Sequence, residues 1–213
     1  MEINIDIMQD ASEIVHYDTL GIPLYMRQGD LTEYPGMRAL CHWHEDIEFI
    51  RITKGRMYYQ INGTKILLNE HDCLIVNSRQ MHYGYSVHNE NCLFTCILFH
   101  PGLLTGNHFM YEKYVLPYLE NPDFEFIHFE NGNYLHDEIS DLLDRIAELK
   151  ESGFPGFQLE ISGYMSVLWA RLLKAKLLKP LRTRDTAHTD LTLSRDMVSY
   201  VYAHYPDLSL IHI

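Results

Sequence analysis

Residues Cys41–Gly55 read CHWHEDIEFIRITKG, and the reading of this stretch decides both the fold and the site. Alternation along a strand puts His42 and His44 on one face, and imidazole nitrogens that share a face are a common start for a divalent metal site. Glu48 has the same parity. A straight strand advances about 3.3 Å per residue, which would leave Glu48 roughly 13 Å from His44. These side chains can serve one site only if the chain bends at Glu45 and Asp46 and returns.

Working outward, the segment from Arg38 to Phe99 holds short runs rich in β-branched and aromatic residues: IEFIRIT, RMYYQING, TKILL, CLIV, HYGYSV and CLFTCILF. They are separated by KG, NG, NEHD and NSRQ. Asn62-Gly63 is a strong hairpin signal, because both central residues of that turn need positive φ. Many short strands at close spacing predict a sandwich or barrel.

Near residue 130 the pattern changes. Leu135, Ile139, Leu142, Leu143, Ile146 and Leu149 fall three or four apart, one face of a helix, and Gly153, Pro155 and Gly156 then stop it. A second helix is predicted from Leu159, Ile161, Met165, Leu168, Trp169, Leu172 and Leu173, so the two should pair antiparallel. After Pro180, LRTRDTAHTD reads as a polar linker. TLSRDMVSYVYAHYPD reads as a further helix capped by Thr192 or Ser194.

Composition limits the classes of function. A chain of 213 residues with 46% hydrophobic content can bury a full core, and its net charge of −12 repels a phosphate backbone. Cys41, Cys73, Cys92 and Cys96 form no CxxC pair and are expected to be small buried hydrophobes. The N-terminus has no signal-peptide order and no apolar run reaches bilayer length, so a cytoplasmic protein with no membrane partner is expected.

Gly36, His42-x-His44, Glu48 and Gly55 match the first cupin motif at every fixed position. The second motif is partly kept. His82 stands where its histidine is expected, but Asn69 to Asp72 replace the usual glycine turn and Ser78 or Arg79 replaces the proline. The resemblance implies a β-barrel of the cupin (double-stranded β-helix, jelly-roll) type, α+β overall with its helical pair. In such a barrel His42, His44, Glu48 and His82 would converge on the interior, the family's usual metal position.

A cupin followed by two helices, a polar linker and a MVSYVYAHYPD-type helix resembles an AraC-type transcription regulator. That resemblance implies an effector-binding barrel over 1–130, a dimerisation region over 131–179, a linker over 180–191, and the first helix of a helix-turn-helix domain over 192–207. It also implies a small-molecule effector, often a sugar, a homodimer, and DNA contact only through a C-terminal domain missing from this chain, so the native gene is expected to continue past Asp207. LSLIHI, residues 208–213, is what CTG TCT CTT ATA CAC ATC encodes. That string resembles a transposase recognition end used in library preparation, and a non-native tail is the expectation.

Two readings of the ring stay open. His42, His44, Glu48 and His82 could hold a divalent ion, or they could hydrogen-bond a hydroxyl-rich ligand. Tyr58, Tyr59, Tyr83 and Tyr85 are read first as packing residues, but half of each alternating pair must face inward, so one of each is expected to stack on a sugar ring, and Tyr58 and Tyr83 are the two assigned to the site. His88, His100, His108 and His136 are read as surface or loop histidines. The functional expectation is a sensor without catalytic residues, dimerising through the face Leu159, Ile161, Leu168 and Leu172. The alternative is a metal-dependent cupin enzyme, an isomerase or dioxygenase, whose metal polarises a substrate oxygen or activates dioxygen.

Overall fold

The computed structural model describes residues 6–180 and Tyr200. The expected linker beyond Pro180, the helix over 192–207 and the tail over 208–213 therefore lie outside the described residues, apart from exposed Tyr200.

Two antiparallel sheets face each other. Strands β1 (Leu24–Asp30), β2 (Ile47–Gly55), β5 (Cys73–Val76), β7 (Cys92–Phe99) and β8 (Phe126–Phe129) form a five-stranded sheet in the order β1-β7-β2-β5-β8. Strands β3 (Met57–Ile61), β4 (Thr64–Leu68) and β6 (His82–Ser86) form a three-stranded sheet in the order β4-β3-β6. Asn62 and Gly63 have φ of 46° and 89°, the paired positive values that the two-residue turn between β3 and β4 requires.

Strands β2, β5 and β7 are buried on both faces over most of their length, which explains why they read as nearly continuous apolar runs. Ile50, Ile52, Leu74, Val76 and Phe94 point between the sheets and pack with Met57, Tyr59, Ile61 and Leu68. Ile47, Phe49, Ile75, Ile97 and Phe99 point the other way, into a second core beneath the helices. Gly29 is required where it stands, because a Cβ there would lie 2.4 Å from the Phe94 ring.

Two short helices, α1 (His108–Tyr114) and α2 (Leu116–Leu119), lead toward β8. Helix α3 (Tyr134–Ser152) starts where the Asn133 side chain accepts from the Leu135 amide, and it ends at Gly153 with φ 57°. Helix α4 (Phe157–Lys174) runs back along it, since Arg171 near its C-terminal end pairs with Glu138 near the start of α3 at 2.6 Å. The predicted apolar stripe of α3 and Ile161, Met165, Leu168, Trp169 and Leu172 of α4 join the core under the sheet.

That packing corrects the expected dimer face. Ile161, Leu168 and Leu172 are each 0% exposed and are covered by this chain's own sheet and helix, so of the expected quartet only Leu159, at 81%, faces outward. His136 is corrected too: it is buried, with its Nε2 2.5 Å from the His71 carbonyl oxygen. Strands β1 and β8 were not among the predicted runs. Cys41 is exposed, while Cys73 and Cys92 are buried.

Candidate effector and metal site

The chain bends at Glu45 and Asp46, as one shared site demands. Arg79 N donates to the His44 carbonyl oxygen at 2.7 Å and Ser78 Oγ to that of Glu45 at 2.7 Å, which pins the corner. The turn brings His44 Nε2 to 3.4 Å from Glu48 Oε2. His42 and His82 face each other across an antiparallel bridge with reciprocal backbone hydrogen bonds of 3.1 and 2.8 Å. One ligand atom from each of His42, His44, Glu48 and His82 therefore lies within 4.8 Å of the others, and all four residues are buried.

The tautomers follow from the neighbours. His42 Nδ1 lies 2.7 Å from the Leu40 carbonyl oxygen, His44 Nδ1 3.0 Å from that of Asp46, and His82 Nδ1 2.8 Å from that of Gln80. A carbonyl oxygen only accepts, so each Nδ1 carries the proton and donates it. In the neutral rings the Nε2 lone pairs then point inward, toward one another and toward a carboxylate. His82 Nε2 stands 3.3 Å from Glu48 Oε2 yet makes no hydrogen bond, although it is fully buried.

Such a cluster is short of positive charge. Burial pushes the Glu48 carboxyl up, but His82 and His44 outweigh it and hold it well below the usual carboxylate range. Burial pushes His44 down, but its hydrogen bond and charge interaction with Glu48 win and raise it. His42 has no such compensation, and burial together with His82 takes it from 6.5 to about 3.

The sign of the pH dependence follows for metal-free protein. His44, raised in the fold, contributes stability that is present at and below pH 6.5 and is lost as pH rises through its folded value. His42, depressed in the fold, contributes stability present above 6.5 and lost as pH falls, at up to about 1.4 kcal/mol per pH unit for one proton. Glu13 and Asp46, whose carboxyls burial raises, act in the opposite direction, so the His42 contribution should be read as a difference: the fall in denaturant midpoint from pH 6.5 to pH 5 should be smaller in His42→Gln than in the wild type.

Beside the ring lies a cavity of about 160 Å³ between the two sheets. An apolar cavity of about 150 Å³ holds benzene, so one six-membered ring fits. Glu48, His42 and Tyr59 line one end, Arg27 and Tyr34 lie on the β1 side, and apolar side chains such as Phe94 and Leu98 make up much of the rest. The N-terminal segment contributes Glu13, Ile14 and Val15 to the lining.

The structure brings together the four ring residues but not the two tyrosines expected beside them. Tyr58 and Tyr83 lie on the outer face of the smaller sheet, where Tyr58 meets Tyr85 and Lys65, and Tyr83 donates to Gln60 and lies under Arg38. The inward tyrosine is Tyr59. It donates to Glu48 Oε1 and stacks on His82 with ring centroids 6.0 Å apart. Glu13, Arg27 and Tyr34 were also missed by the sequence reading.

Two facing sheets thus bring a His-x-His, a Glu and a further His into one ring beside a cavity. Residues 33–166 match the model of the AraC-like ligand binding domain, and the chain belongs to that family. It is 24% identical over 170 residues to the uncharacterized HTH-type transcriptional regulator YdeC of Bacillus subtilis, a match covering 80% of this chain and 58% of the relative, so the chain spans little more than half of that protein. Apo ToxT from Vibrio cholerae has a similar fold, with a TM-score of 0.51 at 9% identity over 77% of this chain and 60% of ToxT. A cupin from Bacteroides fragilis matches with a TM-score of 0.35 at 22% identity, over 41% of this chain and 74% of the other. Among the described residues no helix is long and apolar enough to cross a membrane.

Proposed function

We propose that this chain is the effector-sensing and dimerisation part of a cytoplasmic AraC-type transcription regulator. It binds one small molecule in the barrel, next to a divalent cation held by His42, His44, Glu48 and His82. The observation that carries this reading is the set of three Nδ1–H groups spent on backbone carbonyls, which leaves three Nε2 atoms aimed at a buried carboxylate beside a cavity. Backbone partners of this kind are what orient metal-binding histidines. Three imidazoles and a carboxylate suit a first-row ion such as Zn²⁺, Fe²⁺ or Ni²⁺, and a bound ion would supply a fixed positive charge facing the cavity.

The effector this cavity favours is of monosaccharide size. A sugar or related metabolite would set hydroxyls against Glu48, Tyr59 and Arg27 and its C–H face against Phe94. The competing enzymatic reading, an isomerase or dioxygenase, needs a coordination position kept open for substrate. Family membership and a helical pair sharing a core with the barrel both favour the sensor. DNA contact would fall to a helix-turn-helix domain outside the described residues, consistent with the 58% coverage of the regulator from Bacillus subtilis and with a charge of −12 here.

Homodimerisation would use the outer face of α4. The exposed face of α3 carries Asp137, Glu138, Asp141, Asp144 and Glu148, partly offset by Arg145 and by pairing with Arg51 and Arg171, and its net negative charge disfavours contact with a copy of itself, whereas α4 exposes Leu159, Gly163, Val167 and Ala170.

Thermal shift tests the function. Zn²⁺ or Ni²⁺ should raise the melting temperature, and a monosaccharide, polyol or small carboxylic acid should raise it further, because a ligand of the folded state stabilises it. A panel in which no small molecule adds stability would count against the sensor.

A further inference from the structure

Glu13 belongs to the N-terminal segment, well away from the ring in sequence. Its position is fixed by backbone pairing: Glu13 N donates to the Trp43 carbonyl oxygen at 2.8 Å, Trp43 N to that of Ala11 at 3.0 Å, and Ser12 and Trp43 form a parallel bridge. Trp43 Nε1 also donates to the Asp10 carbonyl oxygen at 3.1 Å. Because Trp43 sits between His42 and His44, this pairing lays the segment directly against the ring.

The Glu13 carboxylate ends in an unfavourable place for a metal-free protein. Its Oε2 is buried without a hydrogen-bond partner and lies 3.4 Å from His42 Nε2. Two ligands each about 2.1 Å from one ion stand roughly 3.0 to 3.4 Å apart. The separations Glu13–His42 at 3.4 Å, His44–Glu48 at 3.4 Å and His82–Glu48 at 3.3 Å all fall in or at the edge of that range.

We propose that Glu13 is a further ligand of the ring cation, so that a bound divalent ion fastens the N-terminal segment against the cavity. The inference rests on the metal reading of the ring. Among the described residues the donors within 4.8 Å of one another are those of His42, His44, Glu48 and His82, so Glu13 joins them by a shift of its side chain from its place 3.4 Å from His42 Nε2, and an effector oxygen reaching the ion would compete with it. Metal occupancy, closure of the segment and access to the cavity are then linked through one carboxylate.

Hydrogen exchange on the whole chain tests this with Ni²⁺ as the probe. In the wild type, one equivalent of Ni²⁺ should slow exchange of the Glu13 and Ile14 amides at least about tenfold. In Glu13→Gln, and in Glu13→Asp whose side chain is one methylene shorter, Ni²⁺ should still bind, with affinity lowered about tenfold, and the protection should be lost. Equal protection in wild type and both variants, or one bound Ni²⁺ per wild-type chain without protection, would overturn the role of Glu13 while leaving the ring as a metal site. Failure of the wild type to bind Ni²⁺ would overturn both.

Discussion

Replacing His44 and His82 together with Ala should weaken divalent-metal binding by at least about a hundredfold, beyond the roughly 10- to 100-fold cost of losing an outer partner of a metal ligand. These side chains supply two of the three convergent Nε2 atoms and flank Glu48 at 3.4 and 3.3 Å. Their removal leaves His42, Glu48 and Glu13, fewer than the four donors of a structural site. Protein purified without chelator should carry near-stoichiometric metal in the wild type, measured by elemental analysis, and almost none in the double variant. Full retention would place the cation elsewhere and leave the small-molecule reading standing. Circular dichroism should accompany the measurement, because the deletion removes the unpaired His82 Nε2 but leaves the buried Glu48 with Tyr59 as its partner.

The second large effect separates interior from surface on α4. Leu168 is 0% exposed inside the core that joins the helices to the sheet, whereas its neighbour Val167 is 41% exposed. Leu168→Glu would bury a charge without a partner, at a cost above about 4 kcal/mol, comparable with the whole stability of many domains. That variant should be largely unfolded by circular dichroism. Val167→Glu should fold normally and run as a monomer in light scattering where the wild type is a dimer. A folded, monomeric Leu168→Glu would contradict the packing, and a dimeric Val167→Glu would remove the outer face of α4 as the interface.

Much of this architecture can be read from residue order alone. The Asn62-Gly63 turn, the runs from Ile47 to Phe99 and the stripe from Leu135 to Leu149 follow from turn chemistry and periodicity. Strand β1 was hidden because its inward residues, Tyr25, Arg27 and Gly29, carry no apolar alternation; the cavity explains the first two and the Phe94 ring the third. Strand β8 has four residues, too few for a period to show.

The site divides in the same way. Motif spacing assembled His42, His44, Glu48 and His82, but the choice between Tyr58 and Tyr59 needed the parity of β3. Met57 and Ile61 are more apolar than Gln60, which turns Tyr59 inward and Tyr58 out. The register Ile61↔His82 and Tyr59↔Gly84 then carries both Tyr83 and Tyr85 to the outer face. Glu13 left no local signal, because its role arises from pairing with Trp43, a contact between distant parts of the chain.

The central claim is that the barrel binds one small molecule without transforming it. The most direct measurement is equilibrium dialysis of the metal-loaded chain against the most stabilising compound from the thermal-shift panel, followed by mass spectrometry of what is recovered. The account predicts saturation at one molecule per chain, recovered chemically unchanged. Recovery of a product formed over many turnovers, or no saturable binding by any stabilising compound, would contradict it.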